Sequence, residues 1–435
     1  MGFVGVCAVV MPSAGWSSDQ ALSGALLTQA TERAHAQTTS AMSPLTLAEC
    51  YQLALKRSET IAINQELIKE TEGRFQQALG VVLPRVSFES SDKRQDGNGG
   101  SAFTLRYIPQ RQFTFSQPLF SGFKEFAAMA GSRAERRQRI QERIRAEQLL
   151  FLDVSDAFHL LLEQRENRST LEASRLALVA RVDELQERQR LGRSRATEVV
   201  TAEAQLRRVE AELQQAESAE RVSEHLLEFL TGLDRVEALA DPDHVLPVLE
   251  PEAAYVAKVA FRPDLRAMEE AWHMAEKAVR IAQAKLFPTA SLDGNYYVDR
   301  VGVSKDVTWD AALMVHVPLF QGGQAVGAVE EAAAKAREAK LRYTQQQRSV
   351  ELDIRDAYAR LDSAVAIAGA FGKALEAAEE SYGLETEDYR LNLVSNLEVL
   401  QTLRALQDAR RDDIHARYDA KRLYWRLRVA TGETL

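Results

Sequence analysis

Very little in this sequence supports enzymatic chemistry. Only two of the 435 residues are cysteine, Cys7 and Cys50. Two thiols, one of them beside the N-terminus, exclude a disulfide framework. Cys7 stands too close to the start, and Cys50 follows Ala48-Glu49, so neither sits in a convincing lipid-attachment motif. The seven histidines are scattered with no close pair, which removes zinc-type spacing; no metal and no cofactor is expected. Gly-x-Ser-x-Gly, a phosphate-cradling Gly-Lys-Ser/Thr loop and His-Glu-x-x-His are all missing. Nucleophile–base catalysis has no foothold, and an enzyme is not expected. Basic excess is missing as well. The net charge is −9, and Arg133, Arg136, Arg137, Arg139 and Arg143 alternate with glutamates, as on a solvated helix face. Nucleic acid is therefore not an expected partner. No run of about 20 apolar residues exists, so no helix is expected to span a bilayer. Any membrane passage has to be a closed β-barrel.

Proline (11) and glycine (22) are scarce too, which excludes a disordered or collagen-like chain. Ala, Glu, Gln, Arg and Leu dominate from residue 124 onward, the composition of long helices. Residues 1–42 read as a leader. Residues 3–11 resemble an export signal's apolar core, though no basic residue precedes them, and Ala34-His35-Ala36 would suit cleavage.

The chain repeats itself. Gln117-Pro118-Leu119-Phe120-Ser121-Gly122 returns 200 residues later as Val317-Pro318-Leu319-Phe320-Gln321-Gly322. At the same offset Phe151–Phe158 answers Glu351–Tyr358, Glu198-Val199 answers Glu398-Val399, and Thr231-Gly232 answers Thr431-Gly432. Leu83-Pro84 answers Phe287-Pro288 at an offset of 204. A period this long marks a duplicated unit, not a solenoid. Repeat one is expected over 43–246 and repeat two over 252–435, joined by a linker at 247–251.

Each repeat reads as a helix, a β-hairpin and a long helical hairpin. The first helices are expected from Leu45 to Gly80 and from Glu252 to Phe287, with a restart at Arg262-Pro263-Asp264; Pro84 and Pro288 end them. Period-two alternation then predicts hairpins over 85–120 and 289–320, with polar loops at 93–100 and 299–306. Their aromatics fit either an interfacial girdle or a soluble hairpin core. From Lys124 to Arg190 there is no proline and one glycine, enough for about 100 Å of helix. Leu150, Val154, Ala157 and Leu161 step as a coiled-coil seam, and Val350, Ile354, Ala357 and Leu361 repeat the pattern. The long hairpins, 124–230 and 324–430, turn at Gly192 and Asn392. Ser395 with Glu398 forms a candidate capping box.

Four strands cannot close a barrel, and an open sheet edge is not tolerated in lipid. If the strands lie in lipid, the chain must oligomerise. The ordered, duplicated motifs resemble the TolC-like outer membrane efflux protein family over residues 44–432: Pro118–Gly122 and Pro318–Gly322 at the strand–helix junctions, the Leu-Pro and Phe-Pro steps, Arg262-Pro263-Asp264-Leu265, and the helix breaks followed by Glu-Val. That resemblance implies a mainly α fold with a small β part. Three protomers would form a helical coiled-coil barrel and share one 12-stranded β-barrel. It implies a bacterial outer-membrane duct in contact with outer-membrane lipid, passive in itself, whose tunnel meets a periplasmic adaptor and an inner-membrane transporter. It also implies a gate at the tunnel tip. There Tyr389 matches a gate tyrosine, Glu398 an acidic ring position, and Gln401 a position that is often acidic; the basic partner expected near Val394 is missing. The tip turns, with Gly192, Ser194, Thr197, Asn392, Ser395 and Asn396, are the expected adaptor contacts. The competing reading is a soluble coiled-coil scaffold.

Overall fold

The computed structural model describes residues 44–241 and 248–434. The expected leader and cleavage site lie outside these residues, as does part of the expected linker. The chain divides into two compact units. In the small one, Leu45 forms a parallel bridge with Leu239: its N–H donates to the Ala238 carbonyl, and the Ala240 N–H donates back to its carbonyl, both at 2.9 Å.

The large unit carries the rest. It contains, in order, α1 (Leu47–Arg57), α2 (Glu59–Gly80), β1 (Arg85–Arg94), β2 (Tyr107–Phe120), α3 (Lys124–Arg190), α4 (Ala196–Thr231), α5 (Glu252–Val256), α6 (Pro263–Gln283), β3 (Thr289–Arg300), β4 (Trp309–His316), α7 (Gln324–Arg390) and α8 (Asn396–Ala430). No helix among the described residues is long and apolar enough to cross a membrane.

Three boundaries differ from the sequence reading. The helix read as continuous from Leu45 to Gly80 is two helices. Thr46 starts the first through a capping box with Glu49, and Ser58, in extended geometry, ends it and caps the second. The helix read through to Phe287 ends at Gln283 and tightens into a 3-10 turn over Ala284–Leu286. Strand β4 stops at His316, so Val317–Phe320 lie outside the sheet.

The long helices are held by narrow seams. Val154, Ala157, Leu161, Val350, Ile354 and Leu361 are all fully buried. Tyr255, Val350, Ile354, Leu361 and Leu427 form one core cluster. Phe151 stacks edge-on between Tyr51 and Trp425, each ring centre 5.1 Å away. Cys50 is buried in the middle of α1, and burial pushes its thiol up to about 11. Nothing about that position suits a lipid anchor.

The Arg-Pro-Asp motif is a clamp. Pro263 takes the first position of α6, where its missing N–H costs nothing. Arg262 is buried, donating to Asp264 at 2.9 Å and to Asp353 on α7 at 2.9 Å. Asp264 also accepts from Gln346 at 3.0 Å, so one motif fixes the start of α6 to α7.

Candidate functional site: the sheet faces and the helical tip

The four strands form one antiparallel sheet in the order β1-β2-β3-β4, and among the described residues β1 and β4 are open edges. The register sorts the side chains by face. Val86 opposes Phe115, Phe88 opposes Phe113, and Phe113 opposes Tyr296. Tyr296 opposes Trp309, Leu292 opposes Leu313, and Ala290 opposes Val315. One face is thus apolar across all four strands, and most of it is exposed in the chain: Val86 68%, Trp309 66%, Leu313 65%. The other face is polar and internally bonded. The Gln112 amide donates to Glu89 at 3.1 Å, the Ser116 hydroxyl to Asp293 at 2.6 Å, and the Tyr297 hydroxyl to Asp310 at 2.7 Å. A water-soluble sheet would cover the apolar face with a second layer. This one presents it outward and keeps its hydrogen bonds on the other side, the division a barrel wall requires.

The strand–helix junctions position the sheet on the helices. Gly122 has φ +67°, and a Cβ there would come within 2.8 Å of the Ala284 carbonyl oxygen, so only glycine fits. Pro118 sits where the β2–β3 register slips. Pro318 lies just beyond β4, and Gly322, also at positive φ, has open space where its Cβ would be.

At the far end both helical hairpins turn alike. Gly192 (φ +66°) and Asn392 (φ +57°) occupy the left-handed position that ends α3 and α7. The Arg193 N–H reaches back to Arg188 and the Leu393 N–H to Asp388. Ser194 donates to Glu198, while Thr197 accepts the Thr201 hydroxyl through its carbonyl at 2.7 Å. Gly192, Thr197, Asn392 and Ser395 are exposed; Asn396 is buried.

Glu398 forms the capping box with Ser395, its carboxylate accepting the Ser395 N–H at 2.6 Å. Those bonds, from the Ser395 backbone N–H first and its side chain second, hold the Glu398 carboxyl below the usual range. A depressed carboxylate lends its stabilisation above its ordinary pKa and loses it as pH falls through the lowered folded value. Amide exchange at the start of α8 is therefore expected to speed up as pH drops below about 4.5, and Glu398→Ala should show fast exchange at all pH. Protection in that turn independent of both pH and substitution would refute the cap's role.

No basic residue stands at Val394, but two arginines of another helix lie against Tyr389. Tyr389 is 6% exposed, and the Arg181 guanidinium of α3 lies over its ring at 3.7 Å, with Arg188 at 4.7 Å. Arg181 also donates to the Asn396 side chain at 2.9 Å. Tyr389 and Asn396 thus meet on α3, while Gln401 is exposed and takes no part. Just behind, Leu400 and Leu403 of α8 pack into the α3–α4 core of Leu178, Val182 and Leu206. Sequence reading missed Arg181 and Arg188 because no local pattern distinguishes them from the other arginines of α3.

Residues 258–433 match the family model described as outer membrane efflux protein. Among curated proteins, the nodulation protein T of Rhizobium leguminosarum bv. trifolii is 25% identical over 176 residues, 39% of this chain and 38% of that protein. The outer membrane protein TolC of Vibrio cholerae is 23% identical over 334 residues, 73% of this chain and 75% of that protein. Among solved structures, the outer membrane protein VceC of Vibrio cholerae superposes with a TM-score of 0.77 at 22% identity, covering 89% of this chain and 96% of that one.

Proposed function

The chain is TolC-like in family and fold, and on that premise we propose that it is the outer-membrane exit duct of a tripartite efflux or type I secretion system. The carrying observation is the two-faced sheet with both edges open. An apolar outer face, a bonded polar inner face and unpaired edges make one part of a closed barrel. Three copies supply a 12-stranded barrel, with the helices extending into the periplasm. Cargo moves passively and the chain performs no catalytic step, since the energy comes from an inner-membrane transporter reached through a periplasmic adaptor. The adaptor meets the tip turns through Gly192, Ser194, Thr197, Asn392 and Ser395. Asn396 is buried and supports this surface from behind.

The gate is at the same tip. Tyr389, fixed by Arg181 and Arg188, holds α7 against α3. Glu398 brings a carboxylate to the mouth in each copy, and Gln401 lies a turn further along α8. Three such carboxylates favour cations.

The purified protein in planar bilayers should form cation-selective channels, partition with outer membranes, and co-purify with an adaptor after cross-linking. A detergent-independent monomer without conductance would instead fit the scaffold reading.

A further inference from the structure

The two repeats coincide in register as well as in sequence. Within repeat one Arg85 pairs with Ser116 and Phe88 with Phe113; within repeat two Thr289 pairs with His316 and Leu292 with Leu313. The first strands correspond at 204 residues and the second at 200, without exception over these pairs. The helix starts Ser58 and Arg262 also correspond at 204.

Between the repeats the chain shows one seam. There β2 pairs with β3, with Ser116 opposite Asp293. Arg137 of α3 makes a bidentate pair with Glu270 of α6 at 2.7 and 2.8 Å. Gly122 seats on Ala284. Among the described residues no second element covers the equivalent surfaces on the other side of each repeat, where Glu66 pairs only with Lys69 of its own helix. Strands β4 and β1 are edges, and Gly322, Gly73 and Gly80 face open space. Helix α7 buries six of its 67 residues, whereas its counterpart α3 buries 17 of 67. The residues that made the first seam recur: Arg337 stands at the place of Arg137 and Glu66 at the place of Glu270. Arg337 is exposed and forms no ion pair with any described residue.

We propose that the seam inside the chain is copied between chains: β4 of one copy pairs with β1 of the next, His316 facing Glu89, and Arg337 takes Glu66 of the next copy. The occupant of the open edge is thus a second copy of this chain, in one stated register. The register maps Ser116–Asp293 onto His316–Glu89, a donor and an acceptor on the polar face. It also maps Gly122–Ala284 onto Gly322–Gly80, where the smaller residue leaves room for the approach. The contact is head-to-tail, so it must close into a ring or run on as a filament. The proposal rests on the duct reading above and adds the residues of its interface.

Directly opposed strand residues stand about 4.5–5.5 Å apart at Cα, within disulfide reach. Oxidising the full-length Glu89→Cys/His316→Cys variant in outer membranes should give a covalent ladder up to the trimer. Glu89→Cys/Met314→Cys, two residues out of register, should stay monomeric on the same gel, as should each single variant. Separately, Arg337→Glu should lower the temperature at which the native oligomer dissociates, and adding Glu66→Arg should restore it. Cross-linking of the shifted pair, or of neither pair in an oligomer that still forms, overturns the register. An unchanged dissociation temperature in Arg337→Glu overturns the helical contact. A wild-type chain that is monomeric in lipid defeats the duct reading itself.

Discussion

Tyr389→Ala is expected to leave the channel open at rest. The ring fills a nearly closed site, and both its described partners are guanidinium groups on its faces, Arg181 at 3.7 Å and Arg188 at 4.7 Å. Removing a buried aromatic side chain costs about 3–5 kcal/mol where the site cannot collapse. Each partly desolvated cation–π contact adds on the order of 1 kcal/mol. The loss falls on the link between α7 and α3, not on the main seams. The conducting arrangement of the tip gains accordingly, and each 1.4 kcal/mol is a factor of about ten in its population. We expect at least a tenfold rise in open probability in planar bilayers, with matching sensitivity of cells to large hydrophilic antibiotics. Tyr389→Phe keeps the ring and both cation contacts, so it should behave as wild type. Arg181→Ala should open the tip too, since it also releases Asn396. Closed channels in Tyr389→Ala would place the gate elsewhere.

The large features of the fold are legible in the sequence because they are periodic or duplicated. A helix of 67 residues without proline has few alternatives, and the Pro-Leu-Phe steps mark both strand–helix junctions. The break at Ser58 was within reach: a serine followed by Glu59 is a cap signal, but apolar periodicity runs through it. The latch on Tyr389 was not within reach. Its arginines lie some 200 residues away on a helix rich in arginine, and packing alone selects them. The duplication gives no help there. At the positions equivalent to Arg181, Arg188, Tyr389 and Asn396 the other repeat carries Ser381, Asp388, Gln189 and Ala196. The repeats agree in the wall and in the backbone of the tip turns, and diverge in the side chains around Tyr389. Function therefore has to be argued from contacts at the tip, whereas symmetry suffices at the sheet.

The sharpest test of that wall is a pair of arginines. Leu313 lies on the apolar face, 65% exposed, opposite Leu292. Thr114 lies on the polar face of β2, opposite Asn295 and Ser87. Were the sheet in water, Leu313→Arg would be nearly neutral, since an exposed leucine loses little by becoming charged. In a bilayer the same change costs about 2–4 kcal/mol at the midplane, and every copy in the barrel bears it. With three copies the sum is on the order of 10 kcal/mol, comparable to the whole stability of a typical domain. Leu313→Arg is therefore expected to abolish the assembled oligomer in outer membranes and to send the chain to periplasmic degradation. Thr114→Arg should assemble normally and shift ion selectivity toward anions, because in a closed barrel its charge would face the lumen. Immunoblots of outer-membrane fractions and reversal potentials of reconstituted channels read the two outcomes. Equal abundance of both variants in the membrane would mean that lipid does not cover the Leu313 face and that the sheet is not part of a membrane barrel.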